Sequence, residues 1–452
     1  MLNKSLIVIA VSAALSSAAV ADSPKHGPMA FDPITGSAYG LETDPSIPTA
    51  PWLIPEGFSQ RIVSDETDLN IYTGNDWNDM NTVNETKKHA GRYLYRTHEV
   101  RLGNDTRIDG GMGGAVSVVD LKTGVAKEIA ARADWEALDG IVWTPWHTVL
   151  FAEETGTSAR PDPDVPQATS GLLYEIKLMK NDPTTAASVT VRPLLGALAH
   201  EGIESDSEGN VYVIDEDRKG AIYKFVPENY GDLSSGQLYA LRVTDPSKKT
   251  GAAEWVALDM TQAQISARVT ARANAAAEFC RPEDIERIGN TLYVAATCED
   301  VNNPANTSGP GAVLAVHLGN TPSVKYVVAP GKNVPFETQP TAALPGITGF
   351  KSPDNLADGP DGKLWIVEDN DFSDIWVYDP ASEDANADGY RDGVALFASL
   401  KDKPAEGTGI YFGKSPRMLF VNVQHSGTGN DKTMAITKNR GHDDDDEQEH
   451  DD

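Results

Sequence analysis

Short β-rich runs recurring in pairs, six times along the chain, predict an all-β fold: a six-bladed β-propeller with a central metal site. The first run of each pair ends in acidic, amide or histidine residues and the second follows after a loop. Each run is a few residues of Val, Ile, Leu, Tyr or Trp between Gly, Asp or Pro. The first runs are RYLYRTHE (92–99), TVLFAEE (148–154), NVYVIDED (210–217), TLYVAATCED (291–300), KLWIVEDND (363–371) and RMLFVNVQH (417–425). Their partners are GAVSVVDL (114–121), GLLYEIKL (171–178), GAIYKFVP (220–227), GAVLAVHL (311–318), DIWVYDP (374–380) and TMAITK (433–438). First runs start about 55 to 80 residues apart. Parallel α/β units would need an amphipathic helix in each interval, and one candidate exists, around Met260 to Ala277. A β-sandwich is the competing all-β architecture, but it leaves six similar units unexplained.

The flanks of this repeat region read differently. Lys4 is followed by the apolar run Leu6 to Leu15, too short to span a bilayer, and then by the small-x-small site Ala19-Val20-Ala21. Residues 1–21 are therefore expected to be a leader cleaved after Ala21. No arginine pair precedes the apolar run, so the general secretory route is expected, with a periplasmic or secreted product. Residues 22–50 form an N-terminal extension, 51–440 the propeller, and GHDDDDEQEHDD (441–452) a solvated tail whose like charges cannot pack. Cys280 and Cys298 suit an oxidising compartment and are expected to pair across a short hairpin, with free thiols the alternative.

The chain has 452 residues with 67 Asp+Glu against 38 Lys+Arg, a formal net charge of −29. Such a surface repels phosphate backbones and anionic lipid, which argues against nucleic-acid binding and against stable membrane insertion. A monomer is the expected state. Pocket chemistry stays open, because a bound cation reverses the local field.

About ten residues ahead of most first runs stands a short polar motif: LDG (138–140), HEG (200–202), RPE (281–283), SPDN (352–355) and AEG (405–407). In a propeller the strand before the first run is innermost and starts at the channel mouth. Asp139, Glu201, Glu283, Asp354 and Glu406 would then form a ring of negative charge on the axis. Crowded carboxylates raise one another's pKa or recruit cations, and all-oxygen ligands suit a hard ion such as calcium. Turn capping or pairing with Lys and Arg is the alternative for each acid taken singly. The ends of the first runs add Thr97-His98-Glu99, Glu153-Glu154, Asp215-Glu216-Asp217 and Gln424-His425 at the same mouth, and His98, His200 and His425 are candidate ligands or proton carriers, with structural hydrogen bonding the alternative for each. Arg281, two residues from Glu283, is expected on the same side of an extended strand, where a guanidinium could bind an oxyanion or pair with a ring carboxylate. Separately, Asp384, Asn386, Asp388, Gly389 and Asp392 follow the start of a calcium loop, although Ala395 replaces the bidentate Glu at position twelve.

The segments TPWHTVLFAEE (144–154), HEGIESDSEGNVYVIDEDR (200–218), RPEDIE (281–286), SPDNLADGPDGKLWI (352–366) and LFVNVQHSG (419–427) resemble the PhoX-type alkaline phosphatases, as does IPEGFSQRIV (54–63). The resemblance runs in order from about residue 50 to 438. It implies an exported six-bladed propeller that removes phosphate from phosphomonoesters with iron and calcium ions at the channel mouth. By resemblance Glu154, Glu201 and Glu283 fall at metal-ligand positions, Arg281 at a phosphate-contacting one, and Asp354 and Asn355 in a motif characteristic of the family. Asp139 replaces the family's iron-bridging cysteine, and Thr97 replaces an Asn before His98-Glu99. An oxygen ligand in place of a thiolate favours several calcium ions over a di-iron centre.

The expected function is an exported, metal-dependent phosphoester hydrolase acting on a small phosphorylated substrate. Thr97, His98 and Arg281 are its candidate catalytic residues. The metal candidates are Asp139, Glu154, Glu201, Glu283, Asp354 and Glu406. Two alternatives remain: a non-catalytic calcium-binding propeller with a binding or matrix role, and a phosphotriesterase- or lactonase-like hydrolase.

Overall fold

A computed structural model describes residues 27–87, 89–336, 346 and 348–440. The expected leader and acidic tail lie outside the described residues. Every β-rich run named above contains a strand, and the strands are antiparallel throughout the sheets. Asn78–Val83, Tyr93–His98, Ala115–Asp120 and Val125–Ala131 form one four-stranded meander. Leu138–Trp143, Val149–Glu153, Leu173–Met179 and Asp182–Val191 form the next. A nine-stranded sheet contains two meanders, one opening at Ile203–Ser205 and one at Pro282–Ile288. They join edge to edge where Gly251 and Ala252 pair with Val324 and Ser323. Pro353–Asp358 opens a sheet through Leu364–Glu368 and Ile375–Tyr378 to Val394–Leu400, whose outer edge accepts Trp52–Leu53.

The last sheet explains how the chain closes. Glu406–Phe412, Met418–Gln424 and Lys432–Lys438 supply three strands, and Phe58–Asp65 from the start of the chain pairs with Lys432–Lys438 as the fourth. Among the described residues the opening strands of these meanders neighbour one another cyclically, with Glu406–Phe412 returning to Asn78–Val83. Between the sheets lie apolar layers. Trp365, Phe397, Leu419, Val421 and Ile436 make one; Tyr95, Trp143, Phe151 and Tyr174 contribute to another. Trp365 and Trp135 are almost fully buried, and each such side chain contributes about 1.5–3 kcal/mol or more by leaving water.

The expected helix is Met260–Ala273, three residues after which Ala276 still packs on the same apolar cluster. Asp259 caps it, accepting from the backbone N–H groups of Thr261 and Gln262. Ser266 breaks its helical geometry, and Asn274 ends it. Cys280 and Cys298 form a disulfide beside the hairpin of Pro282–Ile288 and Thr291–Ala296.

Candidate active site

A shared backbone device positions the acids. In four opening strands the ladder breaks just after its first pair: between Asn78 and Asn81, Leu138 and Ile141, Pro282 and Ile285, and Pro353 and Leu356. The first residue inside each break is a carboxylate: Asp79, Asp139, Glu283 or Asp354. A β-bulge leaves such a residue unpaired and re-aims its side chain. Immediately before each of these strands stands a non-glycine residue in the left-handed region: Trp77 (φ 46°), Ala137 (φ 48°), Arg281 (φ 47°) and Ser352 (φ 51°). This conformation is costly for L-residues and turns the chain into the bulge. Glu201 and Glu406 complete the ring without it.

The glycines of LDG and HEG have a steric reason. A Cβ on Gly140 would stand 1.6 Å from the Glu201 carbonyl oxygen, and one on Gly202 would stand 2.5 Å from the Ile285 nitrogen. Neighbouring opening strands approach that closely beside the ring.

The acids line one cavity of about 320 Å³, walled by nine carboxylates together with Arg101, Arg281 and His425. Within it Glu201, Glu283 and Asp354 each present a ligand atom within 4.8 Å of the others. Burial, reinforced by neighbouring carboxylates, pushes Asp139, Glu154, Glu201, Asp354 and Glu406 well above the usual carboxylate range. Asp139 Oδ1 is buried without a hydrogen-bond partner. Oxygen-rich, over-charged and unsatisfied, these residues fit a hard divalent cation.

Two guanidinium groups border the acids. Arg101 bridges Glu99 and Glu154, at 2.6 Å from Glu154 Oε2. Arg281 Nε lies 2.6 Å from Glu216 Oε1 and 3.1 Å from Glu283 Oε1. Its hydrogen bonding to described residues runs from Nε to Glu216, leaving the two terminal nitrogens for another acceptor. Arg281 and Glu283 do meet, but the extended-strand reason is corrected: Arg281 is left-handed and precedes the strand.

All six metal candidates, Asp139, Glu154, Glu201, Glu283, Asp354 and Glu406, line the cavity. Thr97 and His98 do not. Both are fully buried elsewhere: Thr97 Oγ1 accepts from Met80 N, and His98 bonds the Asp76 carbonyl oxygen through Nδ1 and Ser117 Oγ through Nε2. Burial holds His98 down to about 3 and His200 down to about 4, which favours the neutral ring at both positions. His425 reaches the cavity, 3.2 Å from Glu406 Oε1. Asp215 and Asp217 instead bind Arg268 and Arg272 of the helix.

The calcium-like loop is an exposed turn network. Asp384 accepts from Asp388 N and Gly389 N, and Asp392 from Ala385 N. Among the described residues, the trio of Glu201, Glu283 and Asp354 is the one set of three converging acidic ligands. Asp79, Arg101 and Asp369 also line the cavity and went unnoticed in the sequence. Asp79 lies fourteen residues before Tyr93, outside the spacing of about ten that marked the other acids, because the hairpin after Asn78–Val83 is longer.

Fold and site together define an all-β, propeller-like protein with an acidic pocket at the head of its opening strands. The family described as alkaline phosphatase PhoX matches residues 142–427, and the chain belongs to this family of phosphoester hydrolases. Among solved structures, Pseudomonas fluorescens PhoX in complex with vanadate, a transition state analogue, is similar at 18% identity and TM-score 0.63, covering 91% of this chain and 98% of that one. A Xanthomonas campestris gluconolactonase gives 11% identity and TM-score 0.46, covering 92% and 98% of the two chains. A Staphylococcus aureus virginiamycin B lyase gives 13% and 0.42, covering 84% and 99%. The likeness to the Pseudomonas fluorescens protein concerns the fold. No curated protein matches the sequence. Among the described residues no helix is long and apolar enough to cross a membrane.

Proposed function

We propose that the chain is an exported six-bladed propeller that hydrolyses small phosphomonoesters with divalent cations, calcium first among them, held at its channel mouth. The observation that carries this reading is the convergence of Glu201, Glu283 and Asp354 within 4.8 Å, beside an arginine whose hydrogen bonding to the described residues runs through Nε alone. Glu201, Glu283 and Asp354 would hold a cation, with Asp139, Glu154 and Glu406 available to further ions. A bound cation supplies Lewis acidity towards phosphoryl oxygens and lowers the pKa of a nearby water.

The chain's own residues do the rest. Arg281 is held through Nε by Glu216 and Glu283, so its terminal N–H groups are pre-aimed to clamp two phosphoryl oxygens. Arg101 fixes Glu99 and Glu154 against their mutual repulsion and adds positive charge to a cavity that must admit an anion. Oxygen at Asp139 suits calcium better than iron. The leader over residues 1–21 would deliver the protein by the secretory route, and the Asp384–Asp392 loop would take a separate structural calcium.

Glu283→Gln keeps the shape and removes a charge, so p-nitrophenyl phosphate turnover should fall at least about a hundredfold while circular dichroism is unchanged. Elemental analysis of wild type should show calcium, with turnover lost to a chelator and restored by calcium. Undiminished turnover in Glu283→Gln would overturn the assignment of the trio. Bound calcium without turnover under any metal would favour the binding-protein alternative.

A further inference from the structure

The opening strands that begin at the acidic mouth end at a second cavity of about 320 Å³. Asp79 belongs to the mouth and Asn81 to the far cavity; Glu201 and Glu204 divide likewise, as do Glu283 and Glu286, and Asp354 and Asp358. None of the far residues enters the chemistry above. We propose that this far cavity binds a small organic ammonium ion, a primary amine or polyamine.

The wall is acidic beyond its own means of neutralisation. Glu204 Oε2 and Glu286 Oε1 both accept the Arg287 backbone N–H, at 3.2 and 2.9 Å, which brings the two carboxylates face to face. Glu85, Asp284 and Asp358 add further carboxyl groups, while among the described residues Arg287 is the one basic side chain lining the cavity; its Nη1 donates to the Gly289 carbonyl oxygen and its Nε is buried without a partner. A separate observation points to an occupant that donates hydrogen bonds. Asn81 lines the cavity and is 2% exposed; its amide nitrogen donates to the Gly409 carbonyl oxygen, and its Oδ1 has no partner. An orphaned buried acceptor is expensive, and an N–H donor relieves it.

Size and geometry select the ligand class. Among the described residues, no third acidic ligand atom joins Glu204 and Glu286 in a group within 4.8 Å, so the chelating cage a bare divalent ion needs is not formed there. The space is roughly ten times the ~30 Å³ share of one water, enough for a molecule of several heavy atoms. Trp143, Tyr411 and Phe412 also line it, and aromatic faces favour an alkylammonium over a hydrated metal.

The test uses the full chain saturated with calcium, titrated calorimetrically with spermidine and putrescine. One saturable site is expected, weakened about tenfold or more in Glu286→Gln and in Asn81→Ala, with phosphatase turnover of Glu286→Gln unchanged. If Glu286→Gln does not fold, Asp358→Asn joins Asn81→Ala as the second variant. Absence of saturable binding would overturn the proposal. So would binding that survives the substitutions, which would place the amine on the general acidic surface, or displacement by equimolar magnesium, which would indicate a divalent-ion site. Because the readout is amine binding, it stands or falls separately from the phosphatase reading.

Discussion

Arg281 shows why a single residue type is needed at the mouth. One edge of its guanidinium, Nε, is spent on Glu216 and Glu283, and the opposite edge stays available. A lysine has one nitrogen and must choose between the two jobs. Arg281→Lys should therefore keep the fold yet lower kcat/KM about a hundredfold, with inhibition by free phosphate weakened in parallel. Equal phosphate inhibition in the variant would show that the arginine serves only to neutralise acids. Its left-handed φ of 47° is the part no spacing rule could reveal. The sequence places Arg281 two residues before Glu283; the strained turn that makes the two meet is a property of the bulged backbone.

At the scale of elements, the hairpin of Pro282–Ile288 and Thr291–Ala296 carries both Glu283 and, through Arg281, its neighbour Cys280. The disulfide to Cys298 closes a loop with a separation of 18 residues, and its loss should cost about 3 kcal/mol. Cys280→Ser with Cys298→Ser should lower the denaturant midpoint and raise KM, since the backbone of Arg281 is tied down beside it. A stable double variant with an unchanged KM would separate the disulfide from the site. Strands were legible wherever β-branched and aromatic runs stood between turn residues, which covers the two runs of each pair. Five ring acids were legible because the hairpins after them are of similar length. Asp79 was hidden by the longer connection over 84–92, and Thr97 and His98 lie off the cavity because the end of a run fixes how near a residue stands to the mouth but not which way its side chain points. Closure by Phe58–Asp65 pairing with Lys432–Lys438 was also invisible, because it joins the two ends of the chain and no local pattern marks it.

For the molecule as a whole, a formal charge of −29 and many buried acids set how stability responds to pH. Burial pushes Asp76, Asp358 and Asp431, none of which lines the acidic mouth, up to about 6. Between the unfolded value near 4 and these raised folded values, the native state holds protons that the unfolded chain releases. Stability contributed by these protonated acids is present below that window and is lost as pH rises through it. In the presence of a chelator, the melting temperature should therefore fall from pH 4.5 to pH 7. Calcium should oppose this, because its ligands must be deprotonated to bind, so the rise in melting temperature on adding calcium should be larger at pH 8 than at pH 5. Melting curves at pH 4.5, 5, 7 and 8, each with chelator and with excess calcium, provide the measurement. A chelated protein that grows more stable up to pH 7 would mean that these acids are ionised and paired in the native state. A calcium effect independent of pH would mean that the ion binds outside the carboxylate ring.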